Sequence, residues 1–426
     1  MKTVQIILTV VLTSCFFFPF EFTFLMGVNT KIMLAVLGIP IMGYHLIKMG
    51  KASFSKEILI ASAIATVFSL IGVYSVDINN SQDYSYATYF ISMWIWLSAS
   101  YVACTAIAQV HGKLSVRLLV NYLIVVCLLQ CALALLIDFV PAVKVFVDRY
   151  FSNGITEFLN EVERIYGIGA ALDVAGVRFS AVLIMITVLL SKDDQIRHNQ
   201  GLVTFYILSF LLIAGIGNMM SRTTLLGMVG GIGYLILTMG RFGPNINYVH
   251  IKLWATILIT FMLVFLVGAY FYQTNPAVRE LLRFGFEGFF NWVEEGEWRT
   301  DSTDRLNGTM WIWPEANDIR TWLIGKATFS DWFAVRTDIG YCRFIFYSGL
   351  LGLSTFTLFF VYLSIALAQK FACYRQLFLL FFLLLLVNWF KVSTDIFLVY
   401  APFLVMGSPY LYHTYFSHEK VIPTSK

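Results

Sequence analysis

Arginine is the residue type in this chain whose positions point most clearly to chemistry. Arg222 is the single charged residue between Gly201 and Gly240. A guanidinium among so many apolar residues is costly unless it is solvated, paired or bound to an anion. Its planar fork of donors matches phosphate oxygens and stays charged at physiological pH. We therefore predict that Arg222, with its neighbour Ser221, binds an anionic ligand that carries phosphate.

Other arginines and two aspartates lie just before, or at the start of, further apolar runs. These residues are Arg164, Asp173, Arg178, Arg336, Asp338 and Arg343. Taken singly, each arginine could instead snorkel to a membrane interface or pair with a nearby acid. The spacings from Asp173 to Arg178 and from Asp338 to Arg343 allow such pairs. Because Arg178 and Arg222 lie at positions where a membrane span would ordinarily have apolar residues, we expect these arginines and aspartates to converge on one site.

The composition places these residues in a membrane protein. Hydrophobic residues make up 59% of the 426 residues and charged residues only 13%, which is far from the composition of a soluble domain. The formal net charge is only +4, and the bases form no cluster of the kind that binds nucleic acid. Neither the cysteines nor the histidines have the spacing of a metal site. We expect no cofactor, no metal and no nucleic-acid partner.

The apolar runs predict an all-α polytopic fold with about twelve transmembrane helices, each about 20 residues long. A large extracytoplasmic loop of short helices is predicted between the ninth and tenth spans. The predicted spans are 4–20, 30–47, 57–75, 86–109, 116–138, 173–190, 201–218, 223–240, 252–271, 341–368, 375–390 and 392–411. Inside the eighth span, the spacing of Gly227 and Gly231 favours close helix packing over a phosphate loop.

Lysine and arginine in the short loops predict how the chain crosses the membrane, because such loops are basic on the cytoplasmic side. Every second loop is basic, with Lys48, Lys51, Lys56, Lys113, Arg117, Lys192, Arg197, Arg241, Lys252, Lys370, Arg375, Lys420 and Lys426. Both termini are then cytoplasmic, and Arg222 faces outward. The predicted organisation is an N-terminal bundle of residues 1–271 with an outer loop near 139–172, a large outer loop of residues 272–340, and C-terminal helices with a cytoplasmic tail, 341–426.

The large outer loop is rich in tryptophan. Its six indoles are Trp292, Trp298, Trp311, Trp313, Trp322 and Trp332. They could form an interfacial belt or the core of a small helical cap. They could also offer flat aromatic faces on which sugar rings stack. The sequence favours the first explanation and leaves the second open.

Three stretches together resemble the bacterial O-antigen polymerase and ligase superfamily. They are Arg164-Ile-Tyr-Gly-Ile-Gly followed by Asp173-Val-Ala-Gly-Val-Arg178, then Met220-Ser-Arg222-Thr, and finally Arg336-Thr-Asp338-Ile-Gly-Tyr-Cys-Arg343 with Gly349-Leu-Leu-Gly352. The resemblance covers roughly residues 150–365, and the rest of the chain matches only as a hydropathy profile. It implies an integral enzyme of the bacterial cytoplasmic membrane that handles glycans linked to undecaprenyl pyrophosphate.

Two activities within that superfamily compete. Ligases resemble one another in having a histidine in the large outer loop, whereas residues 271–340 here contain none. The resemblance therefore favours a Wzy-type polymerase, with an O-antigen ligase as the alternative. The lipid bilayer, a lipid-linked donor and a lipid-linked acceptor are the implied partners, and a chain-length regulator is left open.

For a polymerase, a sugar hydroxyl attacks the anomeric carbon of the donor as its pyrophosphate departs, so cations aimed at the phosphates would be the main catalytic device. The resemblance assigns Arg178 and Arg222 to the donor pyrophosphate, supported by Arg164, Asp173 and Ser221. Arg343 and Arg336 would hold the acceptor or the second phosphate, and Asp338 is the candidate base. A flippase or anion transporter is the alternative from another class, and it would be expected to show internal repeats.

Overall fold

A computed structural model describes residues 1–25, 27–50, 54–152, 158–159, 164–239 and 248–416. Most of these residues are helical, and very few lie in strands. In chain order the first ten helices are α1 (Lys2–Phe17), α2 (Thr30–Lys48), α3 (Lys56–Ile78), α4 (Tyr89–His111), α5 (Val116–Phe139), α6 (Pro141–Tyr150), α7 (Leu172–Lys192), α8 (Asp194–His198), α9 (Gln200–Met220) and α10 (Thr224–Met239). Two short strands, β1 (Glu21–Phe22) and β2 (Phe151–Ser152), pair antiparallel.

The remaining helices are one more long apolar helix, the short helices of the large hydrophilic segment, and the helices of the C-terminal part. They are α11 (Tyr248–Thr274), α12 (Pro276–Gly285), α13 (Glu287–Glu295), α14 (Asp301–Gly308), α15 (Ile319–Ile324), α16 (Trp332–Val335), α17 (Gly340–Lys370), α18 (Arg375–Asn388), α19 (Phe397–Met406) and α20 (Pro409–Tyr415). Short helices thus fill the segment between α11 and α17, as predicted. Asn275, Thr300, Asp318 and Asp331 cap α12, α14, α15 and α16 through their side-chain oxygens, which satisfies amide groups at the helix starts.

Eight of these helices are long and apolar enough to cross a membrane: α2, α3, α4, α5, α7, α9, α11 and α17. The chain is therefore an all-α, multi-pass membrane protein. Backbone groups in lipid must bond within the chain, and helices do this locally. Four shorter apolar helices, α1, α10, α18 and α19, lie where the sequence predicts the remaining spans. Parts of the loop near 139–172, the bases Lys51, Arg241, Lys420 and Lys426, and the C-terminal tail lie outside the described residues.

The helices divide into two compact units, each with its own packing. The first unit contains residues 1–34, 102–295 and 414–426, and the second contains residues 35–101 and 296–413. In the first unit α7 is buried along nearly its whole length and packs against α10, α9 and α5. In the second unit α17 packs against α3, α15 and α18.

Glycine sets the distance between α7 and α10. A Cβ placed on Gly227 would lie 2.2 Å from Cα of Ser180, and one on Gly231 would lie 2.9 Å from the Thr187 side chain. The hydroxyl of Ser180 accepts a hydrogen bond from the Gly227 amide at 3.0 Å and donates to the Thr223 carbonyl at 2.9 Å. The prediction that these glycines serve close helix packing is confirmed.

Helix α17 is broken at Gly349, whose φ of 63° is a left-handed conformation. A Cβ there would lie 2.2 Å from the Leu323 carbonyl carbon, so glycine is required by both conformation and space. The break leaves the carbonyls of Phe346 and Tyr347 free to accept hydrogen bonds from the amides of Lys326 and Ala327, at 2.6 and 3.0 Å. The hydrophilic segment is thereby joined to α17 through the backbone.

Candidate anion-binding site

Arg222 lies in the tight turn between α9 and α10. The Ser221 amide closes α9 by donating to the Gly217 carbonyl at 2.8 Å, and α10 begins at Thr224. The Arg222 guanidinium pairs with the Glu287 carboxylate through Nη1 and lies 4.6 Å from the centre of the Phe284 ring. Its side chain is only 15% exposed. The charge that is costly in the sequence is thus paired and shielded in the fold.

A second arginine shares the same aromatic ring. The Arg164 guanidinium carbon lies 4.7 Å from the centre of the Phe284 ring, so one phenyl group contacts two cations. Burial and the neighbouring Arg222 charge lower the pKa of Arg164, and the carboxylates of Asp173 and Glu287 partly oppose this shift. Two guanidinium groups at one ring repel each other, so an anion that contacts both would relieve the repulsion.

Asp173 fixes the turn that carries Arg222. Its Oδ1 accepts hydrogen bonds from the hydroxyls of Ser221, at 3.1 Å, and Thr223. Gly176 makes room for this contact, because a Cβ there would lie 2.6 Å from the Ser221 hydroxyl oxygen. Asp173 lies in the first turn of α7, where a carboxylate is favoured by the helix dipole. Asp173 and Ser221 are both predicted to bind substrate, and in the structure they hold the turn that carries Arg222.

Arg178 follows Asp173 in α7 and is only 5% exposed. Its guanidinium carbon lies 5.5 Å from the centre of the Phe18 ring. The Phe18 carbonyl packs against Gly169, where a Cβ would lie 2.3 Å from that oxygen. The segment that connects Arg164 to α7 is therefore held against the end of α1. Arg164, Asp173, Arg178, Ser221 and Arg222 all belong to the first unit.

Helix α12 brings the Phe284 ring to Arg222, and helix α13 brings the Glu287 carboxylate. The Asn218 side-chain amide donates to the Gly285 carbonyl at 2.6 Å, and a Cβ on Gly285 would lie 3.2 Å from the Met219 amide nitrogen. This anchor places Phe284 and Glu287 over the turn between α9 and α10. The sequence did not predict the roles of Asn218, Phe284 and Glu287, because these contacts join distant parts of the chain. Arg222 and Glu287, for example, are 65 residues apart.

The remaining predicted residues belong to the second unit. The Arg343 guanidinium lies 4.4 Å from the centre of the Phe329 ring and donates through Nη2 to the Phe329 carbonyl. Asp338 accepts a hydrogen bond from Trp332 Nε1 at 3.0 Å. Arg336 is exposed and caps α16 in a left-handed conformation, with a φ of 56°. Their predicted convergence with Arg222 stays a prediction.

Asp83 organises the surroundings of Arg343. Its Oδ2 accepts hydrogen bonds from the amides of Phe329 and Ser330, at 2.7 and 2.6 Å, and from the Ser330 hydroxyl at 2.8 Å. Its Oδ1 accepts from the Ser85 hydroxyl. Burial raises the pKa of Asp83, but the hydrogen bonds from Ser85, Ser330 and Phe329 outweigh it and lower the pKa to about 2. Asp83 thereby fixes Phe329 under the Arg343 guanidinium.

Within the described ranges no group of three or more histidines, cysteines or acids is placed to hold a metal ion. Comparisons with protein-family models, with curated proteins and with solved structures gave no match.

Proposed function

We propose that this chain is an integral membrane glycosyltransferase that polymerises oligosaccharide repeat units carried on undecaprenyl pyrophosphate. The reaction would take place on the outer face of the bacterial cytoplasmic membrane and serve O-antigen, capsule or exopolysaccharide synthesis. The proposal includes twelve spans, formed by the eight long apolar helices and the four shorter ones, with both termini cytoplasmic. It rests on the sequence resemblance and on the arrangement around Arg222.

One observation supports the proposal most directly: Arg164 and Arg222 lie on one phenyl ring, and Arg222 pairs with the Glu287 carboxylate. Guanidinium groups pair with carboxylates and phosphates through the same fork of donors. Glu287 therefore occupies a position that a phosphate group of the donor could take. Because the turn is held by Asp173 and by α12, Arg222 is fixed before the ligand arrives, which favours electrostatic catalysis.

The proposed reaction is a single displacement. The acceptor hydroxyl oxygen forms a bond to the anomeric carbon, the bond from that carbon to the pyrophosphate oxygen breaks, and undecaprenyl pyrophosphate leaves as an anion. Negative charge grows on the leaving oxygen, so Arg222 and Arg178, supported by Arg164, would stabilise the transition state. The hydroxyl proton passes to a carboxylate. Asp338 keeps this role from the sequence, and the structure adds Glu287 as a second candidate.

Arg336 and Arg343 keep their proposed roles with the acceptor or the second phosphate. Each lies in the second unit, and Arg343 is the better supported of the two. Its position is fixed by Phe329 and, through Phe329, by Asp83, whereas Arg336 is exposed.

The experiment that tests the proposal replaces Arg222 with Ala and with Lys in the host that makes the polysaccharide. We expect both variants to lose the long-chain ladder on a gel of the surface polysaccharide while single capped repeats persist. Arg222→Lys keeps the charge but loses the planar fork, so we expect it to retain less than about a tenth of the polymer, a loss of roughly 1.4 kcal/mol in transition-state binding.

Arg283→Ala is the matched control. Arg283 also pairs with a glutamate of α13, Glu294, at 2.8 and 2.6 Å and also lies on a phenylalanine, Phe290. That pair is, however, 42% and 46% exposed, whereas the Arg222–Glu287 pair is shielded, so its loss should leave the ladder intact. An unchanged ladder in Arg222→Ala would refute the catalytic role assigned to Arg222. Complete loss of surface sugar would favour a ligase or a flippase.

A further inference from the structure

Three tryptophans of the hydrophilic segment form a row, which we call the tryptophan row: Trp311, Trp313 and Trp322. The ring centres of Trp311 and Trp313 are 5.7 Å apart with planes inclined by 30°, and those of Trp313 and Trp322 are 6.0 Å apart with planes inclined by 15°. Trp311 is 37% exposed and Trp313 is 43% exposed. At these separations the nearly parallel rings are offset from one another, so part of each aromatic face stays open.

The two ends of the tryptophan row have different surroundings. Trp311 packs edge-on against Phe390, at 6.0 Å, and Phe390 lies two residues after the end of the apolar helix α18. Trp322 lies in α15, and it donates through Nε1 to the Glu315 carbonyl at 3.1 Å. The N-cap of α15, Asp318, forms an ion pair with Lys326 at a separation of 3.2 Å. The row thus runs from the end of an apolar helix to a short helix whose start carries an ion pair.

The tryptophan row is also tied to the segment that carries Asp338. The Thr337 hydroxyl donates to the Met310 carbonyl at 2.5 Å, directly before Trp311. Trp332, a fourth indole of the same segment, donates to Asp338 at 3.0 Å. Residues 310–313 and residues 332–338 are therefore held together, within the second unit.

We propose that the tryptophan row binds the sugar rings of an oligosaccharide. The C–H face of a pyranose ring is apolar and carries slight positive charge, which suits the electron-rich face of an indole. Hydroxyl groups around the ring edge would pair with charged side chains at the far end of the row, such as Asp318 and Lys326. The choice of glycan rests on the proposed function, in which the lipid anchors one end of the ligand in the membrane and the sugars extend outward.

A lipid headgroup is the competing ligand for exposed tryptophans. It suits Trp311, which lies next to Phe390 at the end of α18. It does not account for Trp313 and Trp322, which continue from Trp311 toward the short helix α15. A row that leads away from an apolar helix end fits an extended ligand better than a flat lipid interface.

The experiment measures glycan binding by the purified full-length chain in lipid nanodiscs. The probe is a set of repeat-unit oligosaccharides released from the host's surface polysaccharide by mild acid, and binding is followed by calorimetry. We expect Trp313→Ala to weaken binding by about tenfold, and Trp313→Phe by less, because it keeps an aromatic face. Trp298→Ala is the matched control, because Trp298 is 60% exposed in the same segment but lies outside the row.

Equal affinity in Trp313→Ala and the unaltered chain would overturn the proposal, as would an equal loss in Trp298→Ala. A second measurement addresses lipid contact. If brominated lipids quench the indole of a variant that retains Trp313 as its sole tryptophan, and the oligosaccharides do not protect it, the row is a lipid belt and the proposal fails.

The outcome for the tryptophan row is separable from that for the proposed function. Glycan binding in nanodiscs requires no turnover, so Arg222→Ala should bind the oligosaccharides as well as the unaltered chain. If Arg222→Ala leaves the polymer ladder intact while Trp313→Ala weakens binding, the catalytic assignment of Arg222 fails and the glycan surface stands. In cells, a Trp313→Ala chain with intact arginines should still polymerise but make shorter chains.

Discussion

At the scale of single residues, the proposed anion site depends mainly on the ion pair between Arg222 and Glu287. The ion pair between them is only 15% and 20% exposed, so neither charge is well solvated and each depends on the other. In the proposed function, the Glu287 carboxylate occupies the position of a phosphate group of the donor and moves aside when that group binds Arg222.

Replacement of Glu287 with Gln should therefore tighten anion binding. The neutral amide competes weakly for the Arg222 fork, so we expect the affinity of the purified chain for inorganic pyrophosphate to rise by about tenfold, or roughly 1.4 kcal/mol. Calorimetry in nanodiscs measures it. Glu294→Gln, which removes the partner of the exposed Arg283, should change nothing. Weaker binding in Glu287→Gln would mean that the carboxylate positions the site and does not compete for it.

The lowered pKa of Asp83 predicts how the stability of the fold depends on pH. Its pKa is about 2 in the folded chain, below the ordinary value of 3.8, so its ionised form stabilises the fold above pH ~4 and this contribution is lost as the pH falls toward 2. Because the group is partly exposed, we expect about 1 kcal/mol. The melting temperature in detergent should fall between pH 5 and pH 2.5 in the unaltered chain, and fall less in Asp83→Asn. The exposed carboxylate of Glu280 provides the control, as Glu280→Gln should follow the unaltered chain.

At the scale of elements, the contact between α7 and α10 positions the site. Gly176, Gly227 and Gly231 let the two helices and the Ser221–Thr223 turn approach to backbone distance. The same approach brings the Asp173 carboxylate to the hydroxyls on either side of Arg222. A change in the spacing of α7 and α10 would therefore change the position of Arg222.

Gly227→Ala should destabilise the chain, since the new Cβ would lie 2.2 Å from Cα of Ser180 and a backbone must shift. We expect a loss of about 2 kcal/mol, seen as a melting temperature lower by several degrees in detergent. Gly230→Ala is the control in the same helix, because nothing lies within 4 Å of its Cβ position. That variant should be neutral or slightly stabilising, since alanine favours helix. Equal effects of the two substitutions would contradict the close packing.

At the scale of the whole molecule, the alternation of basic loops predicts which segments face outward. The test places single cysteines in a cysteine-free chain, one at the native Cys373 and one as Thr303→Cys. Both positions are exposed. An impermeant maleimide added to intact cells should label position 303, and position 373 only after the membrane is permeabilised. Labelling in the opposite order would invert the topology and remove the arginines from the outer face.

The class of fold and the residues worth testing could be predicted from the sequence alone. Apolar runs of sufficient length form helices in lipid because no other local structure satisfies the backbone, and a lone arginine within such a run is conspicuous for the same energetic reason. The glycine pair at 227 and 231 likewise followed from helical periodicity. These are local properties, and the sequence reports them directly.

What each arginine contacts depends on the tertiary structure. Arg222 pairs with Glu287, 65 residues later in the chain, and Asn218 donates to the carbonyl of Gly285, 67 residues later. The same approach brings the Phe284 ring to Arg222, and no periodicity predicts such contacts. The division of the predicted residues between two compact units, the Asp83 hydrogen bonds beneath Arg343 and the alignment of three of the six tryptophans also arise from packing between distant segments. Long-range contacts depend on how helices fit together, and that fit is a property of the whole fold.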